Sequence, residues 1–166
     1  MKEGLYMKGT WNIKHIRNGK VLQDDTIHNR IVNAGLNELI DGAFVAGGTT
    51  QFKYVALGSG TAATAAGTTA LTTEHSGNGL ARDEADSATR TGTGIATITK
   101  TFTCSADDQS VYEVGLFDTA VTGGNLMCRV SSGDAEGWSG IADLDTNDQV
   151  AVTITITIAY YETSAS

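Results

Sequence analysis

The chain has no proline, two cysteines, few basic residues and no apolar run approaching the roughly 18 residues of a membrane-spanning helix. Each shortage excludes something. Without proline, every sharp turn has to be made by Gly, Asn or Asp. Cys104 and Cys128 stand alone: neither has a second Cys or a His at metal-ligand spacing, and there is no C-x-x-C. They read as two buried thiols of a reducing compartment; the sharper alternative is a bridge between neighbouring strands, formed after release from the cell. Lys and Arg number 11 against 19 Asp and Glu, a net charge of −8, and no basic cluster exists. Neither nucleic acid nor an anionic membrane is therefore expected as a partner. The first residues lack the apolar centre of a signal peptide, which predicts a chain made and folded in a cytoplasm. Charged residues make up 18%, below the usual ~25%, and Thr, Ala, Gly and Ser fill the gap, a profile that suits short strands and turns better than helices.

What the chain does have is a long alternating stretch near its end, residues 150–160. Val150, Val152, Ile154, Ile156, Ile158 and Tyr160 occupy one parity, and Ala151, Thr153, Thr155, Thr157 and Ala159 the other. Alternate side chains of a strand point to opposite faces, so this is a half-buried strand with one apolar and one threonine face. At about 3.3 Å per residue it spans roughly 36 Å, the height of a small sandwich or barrel. An open edge of that length invites pairing with other chains, which places the strand inside a sheet or at a subunit interface.

Residues 1–9 read as a loosely held N-terminal arm, and residues 10–166 as a single β-sandwich domain large enough to bury a core without staples. Segments 10–16 and 21–27 flank Asn18-Gly19, a strong hairpin signal that pairs Ile16 with Val21 and Ile13 with Asp24. Neither face of that hairpin is cleanly apolar, which predicts a peripheral position. Asn29 is placed to cap one short helix near residues 30–43, where Val32, Leu36, Leu39 and Ile40 recur at helical spacing and Asp41-Gly42 or Gly47-Gly48 would end it. Further strands are predicted over 52–57, 94–104, 111–118 and 126–130, with turns at Asp107-Asp108 and at 122–125 and a loop over 132–149 carrying Trp138. The Gly-, Ala- and Thr-rich segment from Gly58, extended through Arg90, reads as a long loop without core duties. About seven strands and one helix predict an all-β fold, an antiparallel β-sandwich of jelly-roll or Ig-like type.

No arrangement carries catalysis. Asp143, Asp145 and Asn147 alternate as at the start of a calcium loop, but the sixth position, which needs Gly, is Asp148 and the twelfth, which needs Glu, is Ile154. The stretch reads as a solvated turn. Gly58-Ser59-Gly60 lacks the Lys of a phosphate-cradling loop. His15, His28 and His75 are scattered, and no Gly-x-Ser-x-Gly elbow exists. A carboxylate pair of glycosidase type is unreadable from sequence. Trp11, Trp138, Tyr160 and Tyr161 could line a sugar site, but four aromatics across a sandwich more often belong to core and rim. The expectation is a protein that is not an enzyme, with no cofactor and no metal.

Several stretches, taken in order, resemble a class of small structural proteins of tailed bacteriophages. Trp11-Asn12-Ile13-Lys14-His15 followed by Arg17-Asn18-Gly19-Lys20 looks like the opening W-x-I-x-H-x-R-N-G-K of that class. Asn33-Ala34-Gly35-Leu36 is similar to its N-x-G-L element, and Ala56-Leu57-Gly58-Ser59-Gly60-Thr61 to its A-L-G-x-G-T segment. Glu113-Val114-Gly115-Leu116-Phe117, then Gly123-Gly124 and 126–130, resembles its E-x-G-L-F…G-G-x-L-x-x-R hairpin. The threonine-rich last strand looks alike too. The class often carries proline after its Gly-Thr pair, where this chain has Ala62 and Ala63.

The resemblance implies a virion protein assembled in the host cytoplasm. The first expectation is a capsid decoration (cement) protein on the outer surface of the head, partnered by the major capsid protein and by itself as a homo-oligomer, trimer or dimer. The alternative is a tail- or head-fibre module that binds a host receptor or glycan, although no internal repeat of fixed period builds a shaft. Within this frame, Leu5, Tyr6 and Met7 are the expected partner contacts, three apolar side chains on an arm with no local face to pack on, against the plainer reading of a frayed terminus. On that basis a chain without residues 1–8 is expected to fold with near-normal stability and to bind particles less well.

Overall fold

A computed structural model describes residues 2–45 and 51–163, with side chains over 4–45 and 51–160. The fold is all-β with one helix. The strands are β1 (Lys2–Arg17), β2 (Lys20–Ile31), β3 (Tyr54–Gly58), β4 (Asp83–Glu84), β5 (Ser87–Gly92), β6 (Ile95–Thr103), β7 (Gln109–Val111), β8 (Glu113–Phe117), β9 (Leu126–Ser131), β10 (Ile141–Leu144) and β11 (Gln149–Thr163); α1 (Asn33–Phe44) follows β2. Nine strands form one antiparallel sheet in the order β4-β3-β8-β9-β2-β1-β11-β6-β5, and β10 pairs with β7 beside it. The sheet turns back on itself at β2, whose body pairs with β1 while Arg30 and Ile31 pair with Arg129 and Cys128 of β9. Trp11, Ile13, Ile98, Phe102, Val152 and Ile154 from one half therefore meet Val55, Leu57, Val114, Leu116 and Val130 from the other in one core, which makes the fold sandwich-like.

The alternation of residues 150–160 holds in three dimensions. Val150, Val152, Ile154 and Ile156 are buried and the threonines between them are half-buried. β11 lies inside the sheet, between β1 and β6. The hairpin expected at the periphery is central instead: Trp11, Ile13 and His15 are buried on β1. Its polar look came from β2, whose exposed positions follow from having β1 on one side only along most of its length. Asn18 and Gly19 make the turn with φ of 50° and 75°, and Ile16 pairs with Val21, but a register shift at His15/Ile16 sets Ile13 opposite Asp25 and Lys14 opposite Asp24. The segment expected as a loose arm is strand: residues 2–9 pair continuously with residues 156–163 of β11.

The helix starts later than its periodicity suggested. Val32 is the N-cap residue without a side-chain bond, and Asn29 belongs to β2, because the backbone continues extended to pair with β9 before it can turn. The expected stop at Asp41-Gly42 lies inside the helix, and Gly47-Gly48 lies outside the described residues. Only Gly35 is buried on the helix; a Cβ there would lie 2.6 Å from the backbone of Met127, so the absent side chain is what lets α1 lie against β9.

Candidate functional site

The stretch from Gly58 through Arg90, expected as a long loop without core duties, ends in the strands β4 and β5, and its first part, 58–75, is held by the most buried ion pair among the described residues. β3, β8 and β9 are covered on both faces, one by the core and the other by this loop and α1, so their outward positions are buried as well. Glu113 and Arg129 occupy two such positions and are fully buried. Arg129 donates from Nε and Nη2 to one carboxylate oxygen of Glu113 at 3.0 and 2.6 Å. The backbone N–H groups of Gly60, Thr72 and Thr73 donate to the same carboxylate at 3.1, 2.9 and 2.7 Å. Arg129 spends its remaining donors on the Ala62 carbonyl and the Thr64 and Thr72 hydroxyls. At Gly60 a Cβ would lie 2.5 Å from Glu113 Oε1, so the loop can approach the carboxylate only with glycine there. Leu71 and Thr64 are buried beneath the same loop. Buried and bonded mainly to each other and to the loop backbone, the pair acts as scaffold that holds the loop in place.

A second buried centre takes up the acidic stretch before β11. Asp148, 2% exposed, accepts from His15 Nε2 at 2.8 Å, from Arg17 Nε and Nη2, and from the Asp145 N–H. Arg17 also donates to the Asp143 carbonyl at 2.9 Å. The segment expected as a solvated turn thus wraps a guanidinium, and Asp143 and Asn147 adopt positive φ to do so. The bonds from Arg17, with those from Asp145 and His15, hold the Asp148 carboxyl far below the usual carboxylate range. Among the described residues no cluster of three or more His, Cys, Asp or Glu is placed to hold a metal. The histidines stay apart: His28 meets Thr10, and His75 donates from Nε2 to the Ser110 carbonyl at 2.8 Å. Cys104 and Cys128 are both buried and free, and burial pushes the Cys128 thiol well above its ordinary pKa. Trp11 and Trp138 are core, Tyr160 is exposed, and the Tyr161 side chain lies outside the described residues.

The surface offers features of another kind. Of the expected contact residues, Leu5 is 73% exposed, Tyr6 is exposed and Met7 is half-buried against the core. Leu5 sits opposite Tyr160, and Met7 opposite Ile158. These four continue the core-facing rows of β1 and β11 beyond the body of the sandwich. On α1, Leu36, Ile40 and Phe44 form an exposed i, i+4, i+8 stripe, where the sequence pattern had suggested Leu36 and Ile40 as part of a packed face. An open cavity of about 1080 Å³ lies where β1, β2, α1 and loops meet, lined among others by Met7, Gly9, Asn29, Leu36, Thr64 and Asp134. Sequence reasoning singled out Leu5, Tyr6 and Met7 but missed the β11 residues they lie opposite. It also passed over Glu113 and Arg129, whose signal was available: opposite charges inside two otherwise apolar strand segments.

No protein-family model, no curated protein and no solved structure matches this chain.

Proposed function

We propose that this chain is a bacteriophage virion structural protein, a capsid decoration protein that binds the outer surface of the head through the major capsid protein and works as a homo-oligomer. One observation carries the reading. The stretches that resemble phage structural proteins are far apart in sequence and converge in space. Gly60 of the A-L-G-x-G-T stretch donates to Glu113 of the E-x-G-L-F…G-G-x-L-x-x-R hairpin, whose own Arg129 holds the same carboxylate. Gly35 of the N-x-G-L stretch packs on Met127, two residues from Arg129. Contact between these stretches is what a shared scaffold would require of them, and it supports the reading.

The test is electron microscopy of purified particles with labelled protein. The expected result is many copies on the shell, and rebinding of added protein to particles that lack it. Absence from virions would overturn the reading. A few copies confined to the tail would replace it with a fibre module for a host receptor or glycan.

A further inference from the structure

β1 and β11 outrun their neighbours. Their pairing extends from Ile16 opposite Gln149 to Lys2 opposite Thr163. β2 joins β1 only from Gly9 opposite Asn29, and β6 leaves β11 at Thr157 opposite Ile95. Residues 2–8 and 158–163 therefore project as a two-stranded ribbon, about 20 Å long at the usual rise. Among the described residues, no strand pairs with the outer edge of β1 along it. A two-stranded ribbon is marginal by itself in water. This one carries Leu5, Met7, Ile158 and Tyr160 on the side that faces the core further along, with Leu5 73% and Tyr160 54% exposed.

We infer that a second copy of this chain covers the ribbon, the two open β1 edges pairing antiparallel about a two-fold axis. The inference deepens the oligomeric part of the reading above, on which it rests, and leaves its capsid part aside. Three observations select a second copy as occupant. Proteins blunt open edges with proline, charge or bulges; this ribbon carries charge only toward its ends, at Lys2, Glu3, Lys8 and Glu162, while residues 4–7 and 158–160 hold no proline and no charge and their register is continuous. Copies of a chain with net charge −8 repel each other overall, and residues 4–7 and 158–160 add no like charge to a contact made there. An antiparallel edge is also self-complementary, as an isologous contact requires. At roughly 200 Å² per large side chain, the exposed parts of Leu5, Ile158, Tyr160 and neighbouring Leu36 present on the order of 400 Å² of apolar surface. That is about half of the ~800 Å² a partner contributes to a standard interface, before the strand edge itself is counted.

Sedimentation velocity of the full chain over a concentration series tests this, together with hydrogen exchange of the amides of residues 4–8. The expected result is a reversible dimer whose amides at 4–8 become protected as concentration rises. Leu5→Glu with Tyr160→Glu should sediment as a monomer with an unchanged far-ultraviolet spectrum. A wild-type monomer at the highest attainable concentration, a closed trimer or larger ring, or a dimer with residues 4–8 unprotected would each overturn the inference. Should the double variant not fold, the exchange pattern of the wild type decides alone. A monomer that still binds particles removes this inference and spares the capsid reading; a dimer absent from particles does the reverse.

Discussion

Arg129 and Glu113 form a fully buried ion pair on neighbouring strands, with two donors of the guanidinium on one carboxylate oxygen. Neither residue lies in a loop, yet together they organise one. Three backbone N–H groups of the segment 60–73 end on Glu113, and the Ala62 carbonyl ends on Arg129. A segment rich in Gly, Ala and Thr, with little apolar surface of its own, is held in place by charge-assisted bonds instead.

Removing one partner of this pair leaves an uncompensated buried charge. Arg129→Met and Glu113→Gln are each expected to cost about 3–5 kcal/mol. The double variant should cost less than the sum of the two. Urea unfolding of the four proteins measures this, and additive costs would show that the pair is not coupled.

Asp148 links stability to acid. Its carboxyl pKa in the fold lies below that of the unfolded chain, so the unfolded state takes up protons first as pH falls. The stabilisation is fully present above the ordinary Asp value of about 4 and is lost as pH drops from there toward the depressed value. Asp148→Asn is expected to lower Tm at neutral pH and to flatten its decline below pH ~4. Thermal melts across that range, compared with wild type, would show parallel curves if Asp148 plays no such part.

Gly35→Ala places a methyl group 2.6 Å from the Cα and carbonyl oxygen of Met127, backbone atoms that cannot swing aside as its sulfur can. The expected cost is about 1–3 kcal/mol. The loss should be accompanied by exchange of the α1 amides at a rate that indicates the helix has lifted. Helix propensity alone would favour Ala, so a gain in stability would contradict the packing argument.

The truncation that looks harmless from sequence should not be. Deleting residues 1–8 strips the partner strand from residues 157–163 of β11. The expected cost is about 1–3 kcal/mol, a Tm lower by roughly 2–12 °C. Calorimetry of the truncated and full chains decides between a paired strand and a dispensable arm.

The sequence by itself determined the all-β class and the strands whose faces alternate, because side-chain parity is a local property of the extended backbone. It determined the Asn18-Gly19 turn for the same reason. It also marked Leu5, Tyr6 and Met7 as apolar residues needing an explanation. The tertiary structure alone decided what each strand lies beside. Residues 2–9 look like an arm in isolation because their partner, residues 156–163, stands at the other end of the chain. The loop over Glu113 looks empty of core residues because what holds it is hydrogen bonding across 40 and more positions of sequence. The acidic stretch reads as solvated until Arg17 arrives from β1. Alternation is written in neighbouring residues, whereas pairing, neutralisation of charge and the burial of an outward strand face depend on residues that only folding brings together.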